Sequence, residues 1–309
     1  MGHHQVVGSV NAPIAEEAET RERFNRLLAA LRPKLHRYCA RMTGSVIDGE
    51  DVLQDTLAKA FAALPGAGPI ANPEGWLFRI AHNTALDFLR RRARSQTTLS
   101  DEDMNMVADP VNVTGDRQIV AAGLHTFMRL PVAQRSSVIL MDVLGYSLQE
   151  IGSVLDTSIP TIKAALHRGR TRLRELADEP DDRPVPALSE PQRSLLDSYV
   201  DRFNARDFDA IRDMLADEVR LELVAKTRMN GRKEVGTYFH NYAQTQDWRF
   251  VIGFVEGRPA AIACDRSTGV PSYFVLLEWR GGKLLAIRDF RYARYAIDGA
   301  ELSVITRRK

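Results

Sequence analysis

Lys163, Arg168, Arg170, Arg172 and Arg174 stand close together with no acidic residue before Glu175, just after a turn at Asp156-Thr157-Ser158. Cations at this density suit the binding of a polyanion: ammonium and guanidinium groups hold phosphates and hydrogen-bond base edges. The surrounding residues read as two short amphipathic helices. Ile151, Val154 and Leu155 form the apolar face of the first, and Ile162, Ala165, Leu166 and Leu173 that of the second. Ser158 is placed to cap the second helix, whose first turn tolerates Pro160. A short basic helix after a compact turn has the shape of a major-groove reader. The same pattern also describes a solvated face of an all-α domain. A further cluster, Arg90, Arg91, Arg92 and Arg94, lies upstream.

The whole chain is not polycationic. Its 309 residues carry 42 Lys and Arg against 40 Asp and Glu, a net charge of +2, so any nucleic-acid footprint must be local. The two cysteines, Cys39 and Cys264, lie far apart and belong to no CxxC or Cys/His cluster. They are expected to be small core residues, with no disulfide framework, no metal and no cofactor. No apolar run reaches transmembrane length, and residues 1–20 lack the basic start and apolar core of a signal peptide. The expectation is a soluble protein of a reducing cytoplasm, without a membrane partner.

The elements that must position the cations follow from periodicity. Residues 1–20 read as a mobile tail. Residues 21–94 form a helical domain: Phe24, Leu27, Leu28, Leu31 and Leu35 mark one helix, Val52, Leu53, Leu57, Ala60 and Phe61 a second, and Trp76, Leu77, Ile80, Leu86 and Leu89 a third. The Gly/Pro stretch from Gly66 to Pro73 forces a loop between the last two. Residues 95–116 are an acidic linker, 117–176 the second helical unit, and 177–188 a Pro-rich linker. Residues 189–309 change texture. A helix over Leu195–Leu215 breaks at Asn204–Phe208, and strands are expected at Val219–Ala225, Arg249–Glu256, Ala260–Cys264, Ser272–Arg280 and Lys283–Tyr292. Gly281-Gly282 is the hairpin signal between the last two, and the order suggests an α+β domain with an antiparallel meander.

Three segments carry a resemblance: Glu50–Phe61, Trp76–Arg92, and Leu130-Pro131 through Arg174. On them, residues 21–176 resemble a bacterial RNA polymerase sigma factor of the extracytoplasmic-function type, with region 2 followed by a helix-turn-helix region 4. By its pattern, the stretch from about Pro191 to Tyr295 is similar to a SnoaL-like (polyketide-cyclase-like) cone domain. The fold class is therefore multidomain, two all-α domains followed by an α+β cone. Ala164, Ala165 and Pro160 depart from the residues common in the family, where Ser, Arg and Gly are usual, so the docking mode is firmer than any base preference.

The resemblance implies roles. Glu50, Asp51, Gln54 and Asp55, expected on exposed positions, would dock on the clamp coiled coil of polymerase core; acids and amides suit a basic helical partner. The alternative is a solvated acidic face capping the helix N-terminus, which also suits Asp51. Asn83 would read a flipped base of the −10 element, and Arg79, Arg90, Arg91 and Arg92 would meet phosphates; Trp76 reads as core. Lys163, His167 and Arg168 would face the −35 element, with Thr161 and Arg170 on phosphates. Val138, Ile139 and Leu144 are mainly core, though the family turns part of this unit toward the polymerase flap. The acidic linker would thread toward the active-site cleft or serve as a solvated tether. Partners implied are polymerase core (clamp and flap) and promoter DNA, with room for a small ligand or an anti-sigma protein.

In the cone, His240, Asp247, Glu222 and Asp289 are the candidate acids and bases, while Tyr238, Tyr242, Trp248, Phe254 and Tyr273 could line a pocket. Asp289 lies between Arg288 and Arg291, which suggests a surface ion pair. No close pair such as HxxxD argues for catalysis, and fold alone does not carry function. The expected function is a non-enzymatic promoter-specificity subunit whose activity the fused cone domain modulates. The alternatives are a polymerase-independent helix-turn-helix regulator and a cyclase- or isomerase-type enzyme with a DNA-binding accessory.

Overall fold

The computed structural model describes residues 12–95, 123–177, 179, 186–244 and 248–305. The acidic linker over 96–116, residues 180–185 of the Pro-rich linker and Asp247 lie outside the described residues. Helix α1 runs Ala12–Thr43, so residues 12–20, expected in the tail, are helical. Phe24, Leu28, Leu31, Leu35, Tyr38 and Met42 recur at helical spacing and are buried. The helix stops at Gly44, whose φ of +78° is costly for a residue with a Cβ. Ser45 then caps α2 (Val46–Ala63), accepting from the backbone N–H groups of Ile47 and Asp48 at 3.2 Å each. At Gly49 a Cβ would stand 2.6 Å from the Ala40 backbone, so the close crossing of α1 and α2 requires glycine. Helix α3 (Pro73–Ser95) closes the bundle through Leu77, Phe78, Ala81 and Ala85.

The second helical unit comprises α4 (Leu124–Met128), α5 (Val132–Val138), a single π turn (Ile139–Val143), α6 (Leu148–Leu155) and α7 (Ile159–Ala177). Sequence texture separates this unit from the first, yet the two share one apolar core in which Phe127, Leu130, Leu140 and Tyr146 meet Tyr38, Met42 and Phe78. The buried Arg135 staples them. Its Nη1 donates to the Met42 carbonyl at 2.7 Å and its Nη2 to the Leu130 carbonyl at 2.9 Å, satisfying α1's C-terminal end. Burial lowers the Arg135 pKa to about 10, so it stays charged at neutrality. The Tyr146 hydroxyl donates to Glu74, which also holds Lys34 at 2.6 Å.

The third unit begins with α8 (Glu190–Ala205) and α9 (Phe208–Met214), broken where the sequence suggests. Strands β1 (Leu215–Leu223), β2 (Thr227–Asn230), β3 (Trp248–Val255), β4 (Arg258–Asp265), β5 (Pro271–Arg280), β6 (Lys283–Asp289) and β7 (Leu302–Val304) form a sheet in the order β2-β1-β6-β5-β4-β3-β7. The β3–β6 meander is antiparallel as expected, but β1 lies parallel to β6, so the sheet is mixed. Gly281 and Gly282 have φ of 57° and 77°, the positive pair a tight hairpin needs. Helix α10 (Arg232–Ala243) and the short strands β2 and β7 are additions to the sequence reading. Helices and sheet enclose an aromatic core centred on Phe203, Tyr242 and Phe250.

The cone is not a loose appendage. Val255, Ile262, Cys264, Phe274, Phe290, Ala293 and Ala296 form one buried cluster with Ala40, Val46 and Ile47 of the first unit and Leu124 of the second. Cys39 and Cys264 are both buried and free, as their isolation suggests.

Candidate nucleic-acid and protein-docking surfaces

Helices α6 and α7 form a rigid helix-turn-helix. Ser147 and Glu150 make a reciprocal capping box at the start of α6, and Asp156 ends it in the left-handed region at φ 52°. A Cβ on Gly152 would meet the Thr157 carbonyl at 3.2 Å, and one on Gly169 would meet Val138 Cγ2 at 2.9 Å, so both glycines permit close packing. The Ser158 and Thr161 hydroxyls hydrogen-bond at 2.8 Å over the first turn of α7. Thr161, Lys163 and His167 are exposed and Arg168 is half-buried. Arg170 departs from the expected phosphate contact. It is buried and grips Asp142 on the π turn with two bonds of 2.9 and 2.5 Å, the side chains 7% and 1% exposed. Its role in this geometry is to hold α7 against the π turn.

The residues expected at the −10 element lie on α3. Asn83 is exposed. Arg79 donates to the Ser153 carbonyl on α6, so the helix-turn-helix rests against this helix. Arg90 sits 3.5 Å from Asp87, Arg91 3.6 Å from Asp55 and Arg92 3.0 Å from Asp48. Trp76 is half-buried against Phe24 at 6.2 Å, a core contact. His82 accepts or donates at Tyr38, 2.8 Å away, and burial lowers its pKa to about 4, keeping it neutral.

On α2 the acidic row divides. Glu50 is not exposed, in contrast to the sequence expectation: it is fully buried, 2.5 Å from Arg32 Nη2 and 2.8 Å from the donating Tyr295 hydroxyl. Arg32 Nε in turn donates to that hydroxyl at 2.7 Å. Asp51 receives Arg288 Nη2 at 2.5 Å. Burial raises the Asp51 pKa, and Arg288 opposes that shift. Gln54 donates to Glu222 at 3.1 Å and accepts from Arg228 at 2.9 Å. Asp48 holds Arg258 at 3.1 Å, and Glu256 caps α2 itself, accepting from Ser45 Oγ at 2.6 Å and the Val46 N–H at 2.7 Å. Burial raises the Glu256 pKa, with the two hydrogen bonds opposing. Asp55 faces outward with Arg91. The cone thus lies along the row that includes Asp51 and Gln54. Sequence reasoning missed Glu256, Arg258, Arg288 and Tyr295 as participants. The crowding of arginines between Arg288 and Arg294 was the only local signal.

Inside the cone, Asp289 is fully buried and accepts from the Tyr238 and Tyr242 hydroxyls at 2.7 Å each and from the Arg291 N–H at 2.8 Å. This corrects the surface ion pair, because successive strand residues point to opposite faces. Arg288 points outward to Asp51, and the Arg291 guanidinium stacks 4.7 Å from the Tyr242 ring. Burial raises the Asp289 pKa. Trp248 is buried against Phe203 and Tyr242. His240 is exposed on α10 and Glu222 faces α2, so neither joins Tyr238, Trp248 and Asp289. The described acid and base candidates therefore do not converge. No group of three metal-ligating side chains occurs among the described residues, and no helix among them is long and apolar enough to cross a membrane.

A clamped acidic helix, an arginine-bearing helix and a helix-turn-helix define a promoter-recognition class of protein, here with a cone domain joined on. Comparison with known families agrees: residues 27–95 match Sigma-70 region 2, residues 124–173 match Sigma-70, region 4, and residues 196–289 match the SnoaL-like domain. The ECF RNA polymerase sigma factor SigM of Mycobacterium tuberculosis (strain ATCC 35801 / TMC 107 / Erdman) is 34% identical over 165 residues, covering 52% of this chain and 81% of SigM. SigG of Mycobacterium tuberculosis (strain CDC 1551 / Oshkosh), also an ECF RNA polymerase sigma factor, is 29% identical over 287 residues, 84% of this chain and 78% of SigG. The crystal structure of the Mycobacterium tuberculosis extracytoplasmic function sigma factor SigJ aligns over 84% of this chain and 93% of its own, at 21% identity and a TM-score of 0.33. The chain belongs to the ECF RNA polymerase sigma factors.

Proposed function

We propose that this chain is a promoter-specificity subunit of bacterial RNA polymerase whose fused cone domain controls access to core. Asp51, Gln54 and Asp55 serve the clamp, Arg79, Asn83 and Arg90–Arg92 the −10 element, and Thr161, Lys163, His167 and Arg168 the −35 element. The protein does no bond-making chemistry; it supplies binding and orientation in the cytoplasm, where polymerase and promoter DNA meet. One observation carries the control: Arg228 and Arg288 of the cone bond Gln54 and Asp51, two of the residues assigned to the clamp. One surface cannot serve two basic partners at once, so cone and clamp compete. Arg79 would likewise have to leave the Ser153 carbonyl before it meets DNA. A small ligand or an anti-sigma protein would act by binding open and closed forms unequally.

Reconstituted transcription with bacterial core tests this reading. The Arg228→Glu/Arg258→Glu/Arg288→Glu variant should give more transcript than the native chain at limiting core. Equal or lower output at equal folded protein would contradict control by the cone.

A further inference from the structure

A small cavity lies where all three units meet. His36, Arg37 and Arg41 of α1 line one side, Leu124 of α4 another, and Tyr295 and Asp298 of the cone the third. Its volume of about 40 Å³ holds a group the size of one small oxyanion.

The charge on its wall is unbalanced. Arg37 and Arg41 stand one helical turn apart, a spacing at which like charges repel. Among the described residues no salt bridge reaches either guanidinium. Arg41 Nη1 donates to the Arg37 carbonyl at 3.4 Å, and the guanidinium lies 5.6 Å from the Phe127 ring. Its Nε is buried without a hydrogen-bond partner. Burial and then the charge of Arg37 lower the Arg41 pKa to about 10, so the group stays protonated at neutrality. An N–H of a charged group held out of water costs free energy that an anionic acceptor would recover. His36 adds no charge: its Nε2 donates to the Val46 carbonyl at 2.9 Å, and burial lowers its pKa. Asp298 is the acid among the lining residues and is exposed, so the wall carries two cations against one anion.

We propose that this seam between the three units binds a small oxyanion, with the size and charge of a phosphate group, through Arg37 and Arg41. Guanidinium forks match phosphate oxygens in geometry and charge. Inorganic phosphate and the phosphate end of a nucleotide share this chemistry. Tyr295 and Asp298 complete the wall only while the cone is docked, so the anion binds the closed form more tightly and shifts the chain toward it. That consequence rests on the reading of the cone as a controlling domain; the binding itself does not.

The test titrates inorganic phosphate into the full chain by isothermal titration calorimetry, with chloride at equal ionic strength as the control and neither polymerase nor DNA present. Saturable binding of phosphate is expected. Arg37→Ala should weaken it about tenfold, the loss of one charge-assisted contact, while Lys233→Ala, an exposed cation of the cone, should change it less than about twofold. Asp298→Asn should tighten it, a gain that a misfolded variant could not mimic. Displacement of phosphate by ATP would assign the site to the phosphate end of a nucleotide, and phosphate binding unaffected by ATP would assign it to the free ion. No saturable binding, or binding indifferent to both Arg37→Ala and Asp298→Asn, overturns the proposal and leaves the sigma role intact. Equal affinity in the Arg228→Glu/Arg258→Glu/Arg288→Glu variant, with its cone released, overturns the coupling to closure.

Discussion

Arg288 Nη2 lies 2.5 Å from Asp51 Oδ1 although 237 residues separate the two in the chain. The arginine belongs to the cone's sixth strand and the aspartate to the acidic row of α2, so this contact joins the cone to the first helical unit. Arg288 is 18% exposed and Asp51 51% exposed, which places the pair at the rim of the interface, where one ion pair contributes roughly 0.2–1 kcal/mol. The apolar cluster behind it, with Val46, Ile262 and Phe290, supplies more of the adhesion. The ion pair chooses the face. Charge reversal at Arg288 should loosen the cone, and the double exchange Asp51→Arg/Arg288→Asp should restore docking. Hydrogen exchange of the 46–57 backbone amides would read both, and failure of the exchange to restore protection would remove the pair from the interface.

Tyr295 reaches from the cone into the first unit and donates to the buried Glu50. Removal of its hydroxyl in Tyr295→Phe leaves Glu50 with Arg32 alone. A cost of about 1–3 kcal/mol is expected for the lost bond to a charged group. Differential scanning calorimetry should show a lower Tm for Tyr295→Phe than for the exposed-site variant Tyr292→Phe.

Arg170 and Lys163 lie on the same helix and should behave oppositely. Arg170→Ala strands the buried Asp142 carboxylate and should destabilise the second unit by about 3–5 kcal/mol. Lys163→Ala should leave denaturant midpoints within about 0.5 kcal/mol and reduce DNA binding instead. Similar midpoints for both variants would return Arg170 to a phosphate-binding role.

Acidification should tighten the closed form. Glu256 lies beside Ser45, Val46, Asp48 and Arg258 with its pKa raised by burial above the ordinary 4.5. The closed state therefore holds its proton to a higher pH than the open state does. Stability from this group is full below 4.5 and is lost as pH rises through the raised value. Asp51 shifts in the same direction and Glu222, held by Arg288 and Arg228 against its burial, in the other. Docking of the cone should strengthen as pH falls through the raised Glu256 value, and Glu256→Gln should flatten the dependence. An unchanged pH profile in that variant would assign the effect elsewhere.

Asp289 should prove structural. Asp289→Asn keeps the volume but offers its two tyrosine donors only a neutral acceptor, and Asp289→Ala leaves both hydroxyls without one. The alanine variant should lose about 2–5 kcal/mol and the asparagine variant less. The reverse order in thermal unfolding would contradict this assignment.

The helical units were legible because their apolar residues keep a spacing that only a helix satisfies: Val52, Leu53, Leu57 and Ala60 on α2, and Ile162, Ala165, Leu166 and Leu173 on α7. Asp289 was legible in principle through strand alternation, which sends it inward when Arg288 points outward. Helix α10 was hidden because Gly236 is a poor helix former and Tyr238, Phe239 and Tyr242 suit a strand equally well. The burial of Glu50 could not be read locally. Its partners Arg32 and Tyr295 lie 18 and 245 residues away, and a glutamate in a row of acids looks solvated until those partners are known. The docking of the cone is hidden for the same reason, since ion pairs of long sequence separation leave no periodic trace.

The most direct measurement is energy transfer between dyes on cysteines introduced at the exposed Ala62 of α2 and Val270 of the cone, with the buried Cys39 and Cys264 left unlabelled. Transfer should be high in the free chain and fall when bacterial core polymerase is added, as the clamp takes the place of Arg228 and Arg288. Stable binding of core with transfer unchanged would mean that cone and clamp occupy different surfaces, contradicting control by displacement.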